Sequence, residues 1–207
     1  MGWYYQYTDA YTGWSLYGTE QTNNAQLAMD RLAKSKRQTG MTKQAAAGII
    51  ANFTWESGLN PGQWEHGYNM DPSSGFGLGQ WTPSTKFTNW LGSSDPAERS
   101  NGTKQVEFLL LNNPNQWSTY YVDMNTGYSS YYDVTVPILP TINDYYTSTD
   151  NPDELAVAWM VYWERGNADY AHFPERRDYA LYWYEHLKWQ PFPIWLLCKK
   201  AQEWREM

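Results

Sequence analysis

The chain has a single cysteine, Cys198, in 207 residues, so no internal disulfide can brace it. Cys198 stands in an apolar run and reads as a small buried hydrophobe rather than a nucleophile. The three histidines, His66, His172 and His186, are too scattered for a metal site, and there is no cysteine cluster. No metal and no cofactor is expected. No apolar run approaches the roughly 18 residues of a membrane span, and no charged-then-apolar leader opens the chain. Neither a membrane span nor export by a standard signal is therefore expected. Basic residues are few: 15 Lys and Arg against 22 Asp and Glu leave a net charge of −7. Nucleic acid would want a basic stripe, so it is not the expected partner. No internal repeats or low-complexity segments stand out.

Aromatic side chains are abundant, with 13 Trp and 18 Tyr. Most belong in a core, but such rings also stack on the apolar faces of sugars. The length suits one domain with short appendages. Residues 1–22 read as an aromatic, irregular or short-stranded arm. Residues 23–189 form the main domain, and 190–207 a last amphipathic helix. Within the domain, helices are expected from Asn23 to about Gln38, from Thr42 to Glu56, near 84–91 and 103–112, from Pro152 to Glu164, and after Pro174. Residues 62–83 are expected to form a loop and sheet. Residues 113–150 are expected to be loop-rich and to wall a cleft. Glu164, Arg165 and Arg177 read as a structural ion-pair group.

Glu56 is the most informative residue. Thr42 caps its helix, Ala46, Ile49, Ile50 and Phe53 carry the apolar stripe, and Gly58 with Asn60-Pro61 ends it. Glu56 follows Phe53 by one turn and lies on the same face. Phe53, Trp55, Trp64 and Trp81 as surroundings, and the negative end of the helix dipole, would both raise its pKa. That is the environment of a general acid, although a helix-end carboxylate bonded to a backbone amide fits the local pattern too. Downstream, Gly75-Phe76-Gly77-Leu78-Gly79-Gln80-Trp81 alternates glycines as a strand would, clearing one face for a sugar ring. A tight turn or bulge is the other reading. It is not a phosphate loop, since no Lys-Ser/Thr follows.

Together, Glu56-Ser57-Gly58-Leu59-Asn60-Pro61 and Gly75-Phe76-Gly77-Leu78-Gly79-Gln80-Trp81-Thr82-Pro83 resemble the phage tail lysozyme family. Asn23-Asn24-Ala25, Gly48-Ile49-Ile50-Ala51-Asn52, Trp163-Glu164-Arg165 and Arg177-Asp178-Tyr179-Ala180 extend the resemblance over most of the chain. It implies a mostly helical, lysozyme-like α+β fold with a small antiparallel sheet beside the cleft, and cleavage of the glycan strand of peptidoglycan. Glu56 matches the family's catalytic acid. In chicken-type lysozymes a second acid stands where this chain has Gly75, so the resemblance points to the goose-type and lytic-transglycosylase pattern with one dominant Glu. Asp71 is the first candidate for a second carboxylate and Glu65 the other. Trp64, Ser74, Gly75, Phe76, Gly77, Gln80 and Trp81 are the candidate substrate-binding residues. The expected role is a phage muramidase, carried in the virion tail or released to the host wall, with other tail proteins as partners. A lytic transglycosylase and a non-catalytic sugar-binding tail component are the alternatives.

Overall fold

Helix α1, Thr19–Thr39, leads through Gly40 into α2, Lys43–Ser57, the most enclosed element of the fold. The computed structural model describes residues 2–11, 13–112 and 116–190, and within them every side chain but those of Arg37 and Asn112. The amphipathic helix expected over 190–207 lies outside them beyond its first residue.

Helix α2 is buried almost throughout because it is built from small residues. Ala45, Ala46, Ala47, Gly48 and Ala51 let neighbouring backbones come close, while Ile49, Ile50 and Phe53 fill the space between. Thr42 caps it, its hydroxyl accepting from the Ala45 amide at 3.1 Å. Such a cap is worth about 1 kcal/mol. Gly58 closes the other end at φ 61°, its amide donating to the carbonyls of Phe53 and Thr54. Helices α3 (Thr85–Leu91), α4 (Pro96–Arg99) and α5 (Gly102–Asn112) follow. Next come the strands β1 (Tyr128–Ser129) and β2 (Val134–Thr135), paired antiparallel with Tyr128 opposite Thr135. Helices α6 (Ile142–Thr147), α7 (Pro152–Trp159) and α8 (Phe173–His186) complete the order. Helices α7 and α8 pack on α2 and on each other, so three helices form the heart of the molecule.

Several expectations shift. Helix α1 begins at Thr19, not Asn23, because the Gln21 side chain accepts from the Tyr17 amide at 2.7 Å and holds the first turn. Helix α6 lies inside the stretch expected to be loop. Thr141 and Asp144 form a reciprocal capping box, which supports a helix too short for its apolar period to be read. The antiparallel sheet also lies in that stretch, at 128–135, rather than at 62–83. Around the glycine-rich run only isolated bridges form, Trp64 with Phe76 and Thr8 with Gln63. Gly77 at φ 79° and Gln80 at φ 44° bend the backbone into turns. The turn reading of the three glycines is the one the structure adopts.

The aromatic arm is fastened to the core. Buried Asn24 accepts from the Tyr4 amide at 3.0 Å and donates to the carbonyls of Tyr4 at 2.7 Å and Leu59 at 2.9 Å. The Trp3 indole donates to the Thr103 hydroxyl at 3.0 Å. Tyr7 packs edge-on against Trp64, ring centres 6.1 Å apart.

Candidate active site

Glu56 sits in the last turn of α2, where two adjoining cavities of about 570 and 580 Å³ meet. Both cavities are in the size range of ligand sites, ~300–1,000 Å³. Trp55, Glu56, Glu65, Gln80 and Thr82 line both, so they form one trough with Glu56 midway. The first cavity continues past Gly79, Trp81, Lys86, Trp163 and Tyr170. The second continues past Trp64, His66, Tyr179 and Tyr11.

The surroundings of Glu56 differ from the aromatic pocket that sequence suggests. Its Oε1 accepts from Arg176 Nη2 at 2.5 Å, and Arg176 Nη1 donates to Glu164 Oε2 at 2.8 Å. Arg176 is 1% exposed, Glu164 9% and Glu56 24%, so Glu56 is the most exposed of the three, all of which line the first cavity. The guanidinium makes two further bonds, so four of its five N–H groups are engaged. It donates through Nε to the Ala171 carbonyl at 2.8 Å and through Nη1 to the Asn52 amide oxygen. Asn52 is itself aimed by donating to Gly48 at 2.8 Å and to Ala156 at 3.1 Å. A buried guanidinium must be paired, and here it is shared by two carboxyl groups.

Two ionised carboxylates on one guanidinium would leave a net negative charge in the interior. Burial pushes the Glu164 carboxyl up to about 8, Arg176 opposes this, and the charge of Glu56 raises it further. Glu164 Oε1 is buried and takes no hydrogen bond from any donor among the described residues. The Glu56 carboxyl lies within hydrogen-bonding reach of Glu164, and two carboxyl groups can bond only if a proton lies between them. The Glu164 carboxyl therefore keeps its proton near neutral pH. Glu164 gets its position from a π turn, Met160–Glu164, in which the Arg165 amide donates to the Met160 carbonyl at 2.8 Å. Such turns shift helical register and recur at functional sites.

Of the other sequence candidates, Gln80 and Trp81 line the first cavity, and Trp64 and Gln80 the second. Ser74, Gly75, Phe76 and Gly77 line neither. Phe76 is fully buried against Trp64, ring centres 4.8 Å apart. A Cβ on Gly77 would meet Gln105 Oε1 at 2.6 Å, and one on Gly75 would meet Gln80 Oε1 at 2.8 Å, so those glycines make room for protein side chains rather than for a sugar. Ser74 turns its hydroxyl to the Asp71 carbonyl at 2.7 Å. Gly79 alone of the three glycines opens onto the trough.

The structure places Glu65 at the trough and Asp71 outside it. Asp71 is exposed and lines neither cavity, and the Ser73 hydroxyl and amide donate to its Oδ1 at 2.6 and 2.7 Å. Those bonds hold it below the usual carboxylate range. Glu65 lines both cavities, and its Oε2 accepts from the Gly75 amide at 2.8 Å. A carboxylate thus stands on the Gly75 backbone, where the sequence offers no acidic side chain. The ion group is also differently composed: Arg177 pairs with Asp153 at 3.0 Å on the surface, and Arg176 is the buried partner. The sequence carries one signal for it. Arg176 stands at helical spacing from Ala180 and Trp183, the other buried residues of α8.

The phage tail lysozyme family matches residues 23–187. Morphogenesis protein 1 of Bacillus phage B103 is 32% identical over 171 residues, which cover 81% of this chain and 40% of that protein. The chain thus spans less than half the length of that relative. The match takes in α2, the glycine-rich turn, the π turn and all of α8, the elements that carry Glu56, Gln80, Glu164 and Arg176, and the chain belongs to the phage tail lysozyme family.

Proposed function

We propose that the chain is a peptidoglycan glycoside hydrolase of phage origin that cuts the glycan strand beside N-acetylmuramic acid, with Glu56 as general acid. The observation that carries this reading is the Glu56–Arg176–Glu164 group midway along an open trough. A general acid must hold a proton at working pH and reach the leaving oxygen. Glu164 holds a proton beside Glu56, and Glu56 is the more exposed of the two carboxyls in the trough. Proton transfer to the glycosidic oxygen breaks the bond to the sugar C1 and releases a hydroxyl. Water then adds to the oxocarbenium-like C1 and gives its proton to Glu65, whose free oxygen faces the same trough. The group closes as hydrolysis, with one water consumed and both carboxyls reset from solvent. Family membership supports glycan as the substrate class and a tail-associated place of action, with other tail proteins as partners.

The test is digestion of purified sacculi followed by mass spectrometry of the products. The wild type should release reducing ends, and Glu56→Gln should lose on the order of a hundredfold in rate or more while staying folded. Anhydro ends would remove water, and with it the role of Glu65, in favour of a lytic transglycosylase. A sacculus left intact by wild type would leave a binder.

A further inference from the structure

Tyr11 is 83% exposed, yet its ring is fixed. It stacks on the His66 imidazole with ring centres 4.8 Å apart and planes 22° apart. His66 Nδ1 lies 2.9 Å from the Asp9 carbonyl. A carbonyl only accepts, so Nδ1 carries the proton and Nε2 of the neutral ring is left as an acceptor. The arm bearing Tyr11 is bound to the segment bearing His66. The Trp64 amide donates to the Thr8 carbonyl at 2.7 Å, the Thr8 amide to Gly62 at 3.2 Å, and Gln63 Nε2 to Ala10 at 3.0 Å. One face of the Tyr11 ring is thus covered by imidazole and the other stands free on the wall of the second cavity.

We propose that Tyr11 and His66 form a sugar platform, a binding subsite for a pyranose ring of an N-acetylated glycan strand distal to the bond beside Glu56. The inference rests on the glycan reading above, but the residue that carries it lies in the arm, ahead of the family match at 23–187. A pyranose presents a flat C–H face ringed by hydroxyls. It is matched by an open aromatic face with acceptors at its edge, and Tyr11 supplies the face while His66 Nε2 supplies an acceptor. A nucleobase would also stack, but its phosphates would meet Glu56 and Glu65 in the same trough.

The test uses the full chain carrying Glu56→Gln, so that ligand is not consumed, titrated with β-1,4-linked N-acetylglucosamine oligomers of increasing length. Affinity should rise once the oligomer is long enough to pass Glu56 and reach the second cavity. Adding Tyr11→Ala should abolish that rise and weaken the longest oligomer about tenfold, with short oligomers unchanged. Tyr11→Trp should keep it. In the active chain, Tyr11→Ala should raise KM on long strands and leave kcat in place. Equal binding of long oligomers with and without Tyr11→Ala, where the wild type cleaves sacculi, overturns the platform alone. A parent that binds no oligomer and a wild type that leaves sacculi intact overturn the glycan reading, and the platform with it.

Discussion

At the scale of single residues, the trough sorts four carboxylates by what they touch. Glu56 and Glu164 share Arg176, Glu65 rests on the Gly75 amide, and Asp71 is occupied by Ser73. Asp71→Asn should therefore leave the rate on sacculi within about twofold, since its carboxylate is solvated and turned to its own loop. Glu65→Gln should lose activity on the order of a hundredfold. A large loss at Asp71 with none at Glu65 would restore the order suggested by sequence position. Glu164→Gln bears on the shared proton. With Glu164 pushed up to about 8, the wild type should lose activity as pH rises through that region. In Glu164→Gln the proton store is gone, and the alkaline limb should move to lower pH. A pH–rate profile separates this from loosened packing, which would lower the rate equally at every pH.

At the scale of elements, the site depends on how closely α7 approaches α2. A Cβ on Gly48 would meet the Tyr145 hydroxyl at 2.6 Å and the backbone of Leu155 and Ala156 at 3.0 Å. In an isolated helix Gly→Ala gains about 1 kcal/mol. Here the overlap involves backbone that cannot swing aside, and overpacking costs about 1–3 kcal/mol. Gly48→Ala should lower the denaturation midpoint and also the activity, because α7 carries the π turn that aims Glu164. A raised midpoint would show that α7 yields freely. Local signals made much of this legible. The Thr42 cap, the Gly58 stop and the Asn151-Pro152 start are short-range chemistry, and the helices stand near the places they predict. The π turn has no such signal. At about 3.6 residues per turn Glu164 would point away from Leu155, so periodicity alone gives it no place on the buried side. Arg176 stands on a readable stripe, but an arginine on an apolar face is ordinarily assigned to solvent, so the pattern alone does not mark it as buried.

At the scale of the whole molecule, the site and the core are one structure. Asn52 and Glu56 come from α2, Glu164 from the turn after α7, and Arg176 from α8, so the three central helices are joined by the same guanidinium. No sequence separation hints at that meeting, because Arg176 is 120 residues from Glu56. It also makes global stability depend on pH. Glu164 has a folded-state pKa raised above its unfolded value of 4.5, so the folded state binds the extra proton. The resulting stability is fully present below the unfolded pKa and is lost as pH rises through about 8. The slope from one such group is at most about 1.4 kcal/mol per pH unit. Urea midpoints of the wild type should fall between pH 5 and pH 8. In Glu56→Gln the fall should shrink, because the neighbouring charge that helps raise Glu164 is gone. A flat wild-type midpoint would mean that Glu164 is ionised throughout.

The shared guanidinium also bears on how this protein could change over generations. With Gln at position 56, Arg176 and Glu164 would form a balanced pair, and the surplus of negative charge that the group carries above about pH 8 would vanish. Under the hydrolase reading proposed above, loss of cutting by this substitution would carry no folding penalty at alkaline pH. The trough walls, Trp55, Gln80 and Trp81 among them, would be untouched. On the proposed reading, a glycan-gripping descendant that no longer cleaves lies one substitution away, and selection for cleavage itself would be what keeps a lineage from sliding into it.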